Sequence, residues 1–348
     1  MWAITVVPRQ AGSARLEEIA EPSPDEGDLL VQTLAVGVCG TDLEISRGEY
    51  GWAPPGRERL VLGHESLGRV LEAPAGGDLA AGDLVVGIVR RPDPEPCVSC
   101  AAGEWDMCRN GNYTEHGIKE LDGFMRERYR IGPEFAVKLD PALERTGVLL
   151  EPTSVVAKAW EHIERIAARA VWKPKVALIT GAGPIGLLAT LLGVQRGLEV
   201  HALDRVTTGP KPALVADVGA TYHTGTVADA VGHADLIIEC TGVGELVLDA
   251  IAKSAPDGIV CLTGVSSPGR TITIDPGALN RELVLENEVV FGTVNANRRH
   301  YQAAAAGLAN ADQSWLERLI TRRVPLSRWS AALQRRPDDV KAVVDTTG

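Results

Sequence analysis

Three side chains of very different hardness stand close together early in the chain. Cys39 opens Cys39-Gly40-Thr41-Asp42, and His64 and Glu65 close Gly63-His64-Glu65. A thiolate, an imidazole and a carboxylate form a donor set that zinc accepts while leaving one position open for water or a substrate oxygen. Zinc in such a site lowers the pKa of that oxygen, so that an alkoxide can form near neutral pH before a hydride leaves the neighbouring carbon. Glu151 is the candidate fourth group. Thr41 is the candidate proton relay, since its hydroxyl passes a proton on without carrying charge. Asp42 reads either as a residue that orients a ligand or as the cap of a turn.

A hydride needs an acceptor, and the second motif supplies one. Gly181-Ala182-Gly183-Pro184-Ile185-Gly186 follows an apolar strand and opens an apolar helix, the context in which a G-x-G-x-x-G sequence binds a dinucleotide. Gly181 permits the tight turn, Gly183 lets the backbone approach the pyrophosphate, and Gly186 lets helix and strand pack. Asp204, at the end of the next strand, is placed to bond both ribose hydroxyls and to repel a 2′-phosphate, which favours NAD. Arg205 follows at once, either offsetting that repulsion so that NADP is also accepted or standing as a solvated loop charge. Thr241, Gly264 and Asn295 complete the expected cofactor contacts.

A third group is Cys97-Val98-Ser99-Cys100 with Cys108, a C-x2-C-x7-C spacing that reads as a partial structural zinc site. Asp93 is near enough to be its fourth ligand. A metal-free loop and a redox-active pair are the other readings. Cys240 and Cys261 lie in strand-like runs and read as buried packing residues.

These groups must be positioned by a chain of 348 residues, 45% apolar and 23% charged, with net charge -11. The length suits two domains. From Leu30 to Val38, Leu67 to Glu72 and Gly82 to Gly87, and again near Phe124 to Arg130 and Phe135 to Leu139, short β-rich runs alternate with turn residues, as in a compact all-β module. Glu151-Pro152-Thr153 opens a helix to about Ala170, and Trp172 to Lys175 reads as a hinge. Strands at Val176 to Thr180, Glu199 to Leu203, Leu236 to Cys240, Ile259 to Thr263 and Val289 to Val294 then alternate with helices around Leu187 to Arg196, Lys211 to Asp217, Glu245 to Ser254 and Gly277 to Glu286. That is an α/β pattern, a Rossmann doubly wound parallel sheet. The tail from Tyr301 to Gly348 reads as mostly helical, part of it packing back on the β-rich module. The expected domains are therefore 1–171, completed by 300–348, and 172–299. No basic stripe suits nucleic acid, and no apolar run suits a membrane span. Cysteine usage and the strand-like N-terminus point to the cytoplasm.

Together, Cys39-Gly40-Thr41-Asp42, Gly63-His64-Glu65, Gly82-Asp83-Leu84-Val85, the cysteine loop and the nucleotide fingerprint resemble the zinc-dependent medium-chain dehydrogenase/reductase superfamily. Val89-Arg90-Arg91-Pro92, Tyr113 to Ile118, Asp122 to Glu127, Leu150-Glu151-Pro152 and Gly292 to Asn295 are similar to its glucose 1-dehydrogenase branch. The resemblance implies a GroES-like catalytic domain beside the Rossmann domain, with the active site in the cleft between them. It implies oxidation of the C1 hydroxyl of an aldose, D-glucose to gluconolactone first, with NAD or NADP, in a homo-oligomer, dimer or tetramer. It makes Cys39, His64, Glu65 and Glu151 the catalytic-zinc environment. Thr41, Glu115, Glu151 and Asn295 become the sugar contacts, Asn295 also lying near the nicotinamide. Val89 and Val155 stand where some members carry Asn and Asp, and Pro94 stands where the cysteine loop usually has a further Cys. The alternatives are a polyol, cyclitol or other secondary-alcohol dehydrogenase of the superfamily and, in another class, a non-catalytic cofactor-binding protein.

Overall fold

The computed structural model describes residues 1–266 and 269–347; Gly348, the last residue of the expected returning tail, lies outside them. The chain forms two compact units, one of Met1–Ser154 with the segment from Ala296 onward, the other Val155–Asn295.

The first unit is built from short strands: β1 (Trp2–Val6), β2 (Arg15–Glu18), β3 (Leu29–Val38), β4 (Leu60–Val61), β5 (Glu65–Glu72), β6 (Leu84–Gly87), β7 (Arg90–Arg91), β8 (Thr114–His116), β9 (Glu120–Leu121), β10 (Arg128–Ile131) and β11 (Ala136–Lys138). Helix α1 (Gly40–Ser46) follows β3, α2 (Val98–Ala101) lies in the cysteine loop, and α3 (Leu150–Ala167) leaves the unit. Along β3 alternate residues are buried up to Leu34, after which every residue is buried. The strand thus begins between β10 and β5 with one face half-solvated and ends deep in the core, which is how Cys39 is delivered to a buried place.

The second unit is a six-stranded parallel sheet. Its strands are β12 (Val176–Thr180), β13 (Glu199–Leu203), β14 (Thr221–His223), β15 (Ala234–Glu239), β16 (Ser254–Leu262) and β17 (Val289–Gly292), in the order β14-β13-β12-β15-β16-β17. Helices α4 (Pro184–Gln195), α5 (Pro210–Asp217), α6 (Val227–Ala230), α7 (Gly244–Ile251) and α8 (Pro276–Leu285) connect them. The order reverses between β12 and β15, so the ligand crevice of such a sheet lies at their carboxyl ends. Leu178, Leu203, Ile237 and Val260, from four adjacent strands, share one buried cluster.

The chain then returns through α9 (Arg298–Ala309), α10 (Gln313–Leu319), β18 (Ile320–Pro325) and β19 (Lys341–Asp345). β19 pairs antiparallel with β3, and β18 pairs parallel with β19. The expectation of a mostly helical tail is therefore corrected, because Ala342, Val343 and Val344 add β19, with β18 beside it, to a sheet begun by β3, some three hundred residues away. Phe124 to Glu127 is not strand either, and β10 begins only at Arg128. Phe124 and Met125 are buried in the sheet's core, and the main chain there bonds to Gly63 and Leu62. The residues near Ser254 are strand where helix was expected, since the chain enters the sheet early through the Ala234–Ser254 pair. The boundary between the units falls inside α3 rather than at Trp172–Lys175.

Candidate active site

Cys39 caps α1. Its Sγ accepts the Thr41 N–H at 3.3 Å, and its own N–H donates to Asp42 Oδ2 at 2.9 Å. The other Asp42 oxygen lies 3.4 Å from His64 Nδ1. His64 Nε2 is thereby turned to Cys39 Sγ, 3.0 Å away. Asp42 thus serves as both turn cap and imidazole anchor, joining the two sequence readings. Burial alone would raise its carboxyl, but His64, the Cys39 N–H and Lys341 hold it below the ordinary value. For His64, burial works against the charged ring, and the Cys39 sulfur and the Asp42 carboxylate overcome it, raising the imidazole well above its usual value.

One ligand atom each from Cys39, His64 and Glu65 lie within 4.8 Å of one another. A soft sulfur, an imidazole nitrogen and a carboxylate oxygen converging on one point fit zinc, and the anchored Nδ1 edge of His64 is the outer support that metal-bound imidazoles use. Glu65 is held from behind by a residue the sequence reading missed. Lys341 Nζ donates to both Glu65 oxygens, at 2.7 and 2.6 Å, with both side chains buried. Gly37, opposite Glu65 in the β3–β5 register, has no room for a side chain, which would collide with that carboxylate. A lone lysine at the head of the buried run Lys341 to Val344 was the available signal.

Glu151, in the first turn of α3, lies outside this three-atom group but shares its electrostatics. Burial, helped by Glu65 and Asp42 against His64 and Lys341, pushes its carboxyl up to about 7. Tyr301 is buried beside Glu151, and its hydroxyl accepts the Val89 N–H at 3.4 Å. Glu115 sits on β8 directly opposite Arg90 on β7. Arg90 Nε and Nη2 both lie 3.0 Å from Glu115 Oε1, with the guanidinium stacked 3.6 Å over the Tyr113 ring. Glu115 was expected here from the sequence, and Arg90, which fixes it, is new from the structure. Asn295 belongs to the second unit, where it adopts a left-handed backbone with φ 65.

The sulfurs of Cys97, Cys100 and Cys108 form a second group within 4.8 Å. The Asp93 carboxylate does not join it: Oδ1 accepts the Glu95 N–H at 2.8 Å, Oδ2 is buried without a hydrogen bond, and the Asp93 main-chain N–H faces Cys100. Main-chain N–H groups of Arg109, Cys100 and Ser99 bring the half-buried Cys97 thiol down to about 6, and burial pushes Cys100 up to about 11. Cys261 is buried and Cys240 half-buried, both unpaired.

In the second unit the fingerprint loop is built as a dinucleotide cradle. Gly181 has φ 90, and no protein atom lies within 4 Å of where a side chain at Gly183 would project. A side chain at Gly186 would strike the Gly181 carbonyl. Pro184 begins α4 with Gly183 as its N-cap and Ile185 next, leaving the helix's first N–H groups to a ligand. Asp204 Oδ2 accepts the Ala182 N–H at 2.8 Å, so the acid stands beside this loop. Lys211 Nζ bonds the same oxygen at 2.8 Å, a cation the sequence reading overlooked while attending to Arg205. Thr241 and Gly264 flank the ends of β15 and β16, both bonded to Glu239.

The family model described as "Glucose dehydrogenase C-terminus" matches residues 144–346, and that described as "Alcohol dehydrogenase GroES-like domain" matches residues 25–141. The glucose 1-dehydrogenase of Methanocella arvoryzae is 39% identical over 99% of both chains. The chain belongs to the glucose dehydrogenase family. Thermoproteus tenax glucose 1-dehydrogenase is 40% identical, again over 99% of both. Haloferax mediterranei glucose dehydrogenase, solved in complex with NADP, Zn and gluconolactone, superimposes with a TM-score of 0.92 at 32% identity, covering 100% of each chain. The fold is accordingly that of GroES-like plus Rossmann dehydrogenases.

Proposed function

We propose that the protein is a zinc-dependent dehydrogenase that oxidises the C1 hydroxyl of an aldose, D-glucose to gluconolactone foremost, with NAD(P). The observation that carries this is the convergence of Cys39 Sγ, His64 Nε2 and a Glu65 oxygen within 4.8 Å, in a chain whose relatives carry that activity in their names. When bound, zinc held by Cys39 and His64, with Glu65 and Glu151 as exchanging groups, acidifies the sugar's C1 hydroxyl, and the nicotinamide ring accepts the hydride. Thr41, beside Cys39 at the start of α1, takes the hydroxyl proton and passes it outward. Asp42 keeps His64 oriented, and Lys341 holds Glu65 in reserve. Glu115, oriented by Arg90, and Glu151 receive sugar hydroxyls, as does Asn295. A sugar requires several such acceptors, because a buried hydroxyl left unpaired costs about 1–3 kcal/mol.

Gly181, Gly183, Pro184, Ile185 and Gly186 cradle the pyrophosphate, with Asp204 on the adenosine ribose and Thr241 and Gly264 near the nicotinamide. Asp204 favours NAD, and Lys211 with Arg205 keeps NADP admissible. Cys97, Cys100 and Cys108 hold a second, structural zinc whose fourth ligand Asp93 supplies after its carboxylate turns. The protein works in the cytoplasm as a homo-oligomer. No helix among the described residues is long and apolar enough to cross a membrane.

The test is reduction of NAD and of NADP by the zinc-loaded protein with glucose, galactose, xylose, sorbitol and inositol. Glucose turnover that disappears in Cys39→Ala and His64→Ala, with dinucleotide binding retained, is the expected result. Turnover that survives exhaustive chelation overturns the zinc mechanism, and turnover of inositol or sorbitol alone overturns the aldose.

A further inference from the structure

Glu239 ends β15 with its side chain fully buried (0% exposed). Its Oε1 accepts the Thr180 hydroxyl at 3.1 Å, the Thr241 N–H at 2.7 Å and the Thr241 hydroxyl, while Oε2 accepts the Gly242 N–H at 3.0 Å. Its main-chain carbonyl accepts the N–H groups of Thr263 and Gly264 and the Thr263 hydroxyl. One residue therefore ties together the carboxyl ends of β12, β15 and β16. The tie reaches the fingerprint too, since a side chain at Gly181 would come within 2.9 Å of Thr241 Cγ2.

Main-chain N–H groups, which can only donate, reach both oxygens, from Thr241 to Oε1 and from Gly242 to Oε2, the pattern of an ionised acceptor. No cation among the described residues pairs with it. Lys158, the other charged side chain buried in this unit, donates its ammonium to the Val294 carbonyl at 3.0 Å. A full negative charge thus sits unpaired in a low-dielectric interior, where its field reaches farther than at a surface.

A dinucleotide at a switch point lies across the strand ends, one nucleotide on each side. Asp204 on the β13 side marks the adenosine half, so the nicotinamide half falls over β15 and β16, above Glu239. We infer that Glu239 is a positioning residue for the nicotinamide half-site, and that its buried charge makes the site prefer the oxidised, cationic ring to the reduced, neutral one. In the reaction the sugar C1–H bond breaks and its electron pair goes with the hydrogen to the ring, while the hydroxyl proton leaves separately and the C1=O bond forms. The ring thereby loses its positive charge, and with it the attraction of Glu239, so the reduced cofactor is the more readily released. This inference rests on dinucleotide binding by this unit.

The experiment measures dissociation constants of NAD+ and NADH, and of NADP+ and NADPH, for the zinc-loaded full-length protein by calorimetry and nicotinamide fluorescence. Glu239→Gln should weaken the oxidised forms about 5- to 20-fold and the reduced forms less than about twofold. Glu239→Asp, which keeps the charge but shortens the tie, should weaken both forms together and preserve the oxidised preference. Equal weakening of both forms in Glu239→Gln, or loss of the preference in Glu239→Asp, overturns the charge argument. Unchanged binding in both variants overturns the positioning role, and failure of the wild type to bind any dinucleotide overturns the cofactor reading itself. Should Glu239→Gln fold poorly, the Glu239→Asp arm still decides.

Discussion

Lys341 and Glu65 are each only 2% exposed, so their doubly bonded pair is costly to disturb on one side alone. Burial by itself would lower the lysine's pKa, yet Glu65 and the Cys39 sulfur carry it above its ordinary value, so the ammonium belongs to the folded state. Removing one partner of a buried pair leaves an uncompensated charge and costs about 3–5 kcal/mol. Lys341→Met should therefore destabilise the zinc-free protein by roughly 3 kcal/mol in urea unfolding. Saturating zinc should narrow that loss, because the metal offers Glu65 the positive charge the lysine gave. Adding Glu65→Gln should recover part of the loss, since the orphaned charge goes with it. A loss below about 1 kcal/mol, or one indifferent to zinc, would show that Glu65 finds its counter-charge elsewhere.

At the scale of elements, α5 brings Lys211 to the end of β13, where it shares Asp204 Oδ2 with the Ala182 N–H. Burial tends to raise the Asp204 carboxyl, but Lys211 and the N–H groups of Ala182 and Val206 outweigh it and hold the value below the ordinary one. A carboxylate depressed in the folded state binds its proton more readily when unfolded, so stability rises with pH across that window. The contribution is complete above pH ~4, the ordinary carboxylate value, and is lost as pH falls through the folded one. Asp204→Asn should thus cost stability at pH 7, and the cost should shrink as pH falls below the ordinary carboxylate value and through the folded one, read from unfolding midpoints. Lys211→Met should raise the dissociation constant of NADP about tenfold with little change for NAD, since a 2′-phosphate then meets Asp204 without its cation. Equal losses for both cofactors would place Lys211 outside the ribose site. The fingerprint and Asp204 were legible because glycine spacing and a strand-end acid are local patterns. Lys211 was not, because nothing in Gly209-Pro210-Lys211 says which way a helix start will aim its ammonium. The returning strands were misread for a related reason: β19 is five residues long and β18 ends in Pro325 at the sheet's edge. Only the pairing of β19 with β3, some three hundred positions away, and of β18 with β19 makes them strands, and a similar distance hid Lys341 from Glu65.

For the whole molecule, the open question is what covers the far side of the parallel sheet. Among the described residues β17 closes the six-stranded order with a partner on one flank only, and an unprotected edge invites pairing with another chain. Nearby in sequence, Val284 and Leu285 at the end of α8 are 66% and 59% exposed, and Ile272 and Ile274 just before α8 are exposed as well. Exposed apolar residues and a free edge in the same stretch of chain are what a second copy would bury, its identical edge strand pairing antiparallel about a two-fold axis. The protein is therefore expected to run in light scattering at a multiple of its 37.0 kDa chain mass. Val284→Glu combined with Leu285→Glu lies on exposed positions, so the fold should persist by circular dichroism while the mass falls to that of a single chain. Catalytic metal binding should survive in that monomer, because Cys39, His64 and Glu65 all come from the first unit. A wild type already monomeric at micromolar concentration, or a double variant that keeps its assembly, would assign this edge to solvent and move the contact between copies elsewhere.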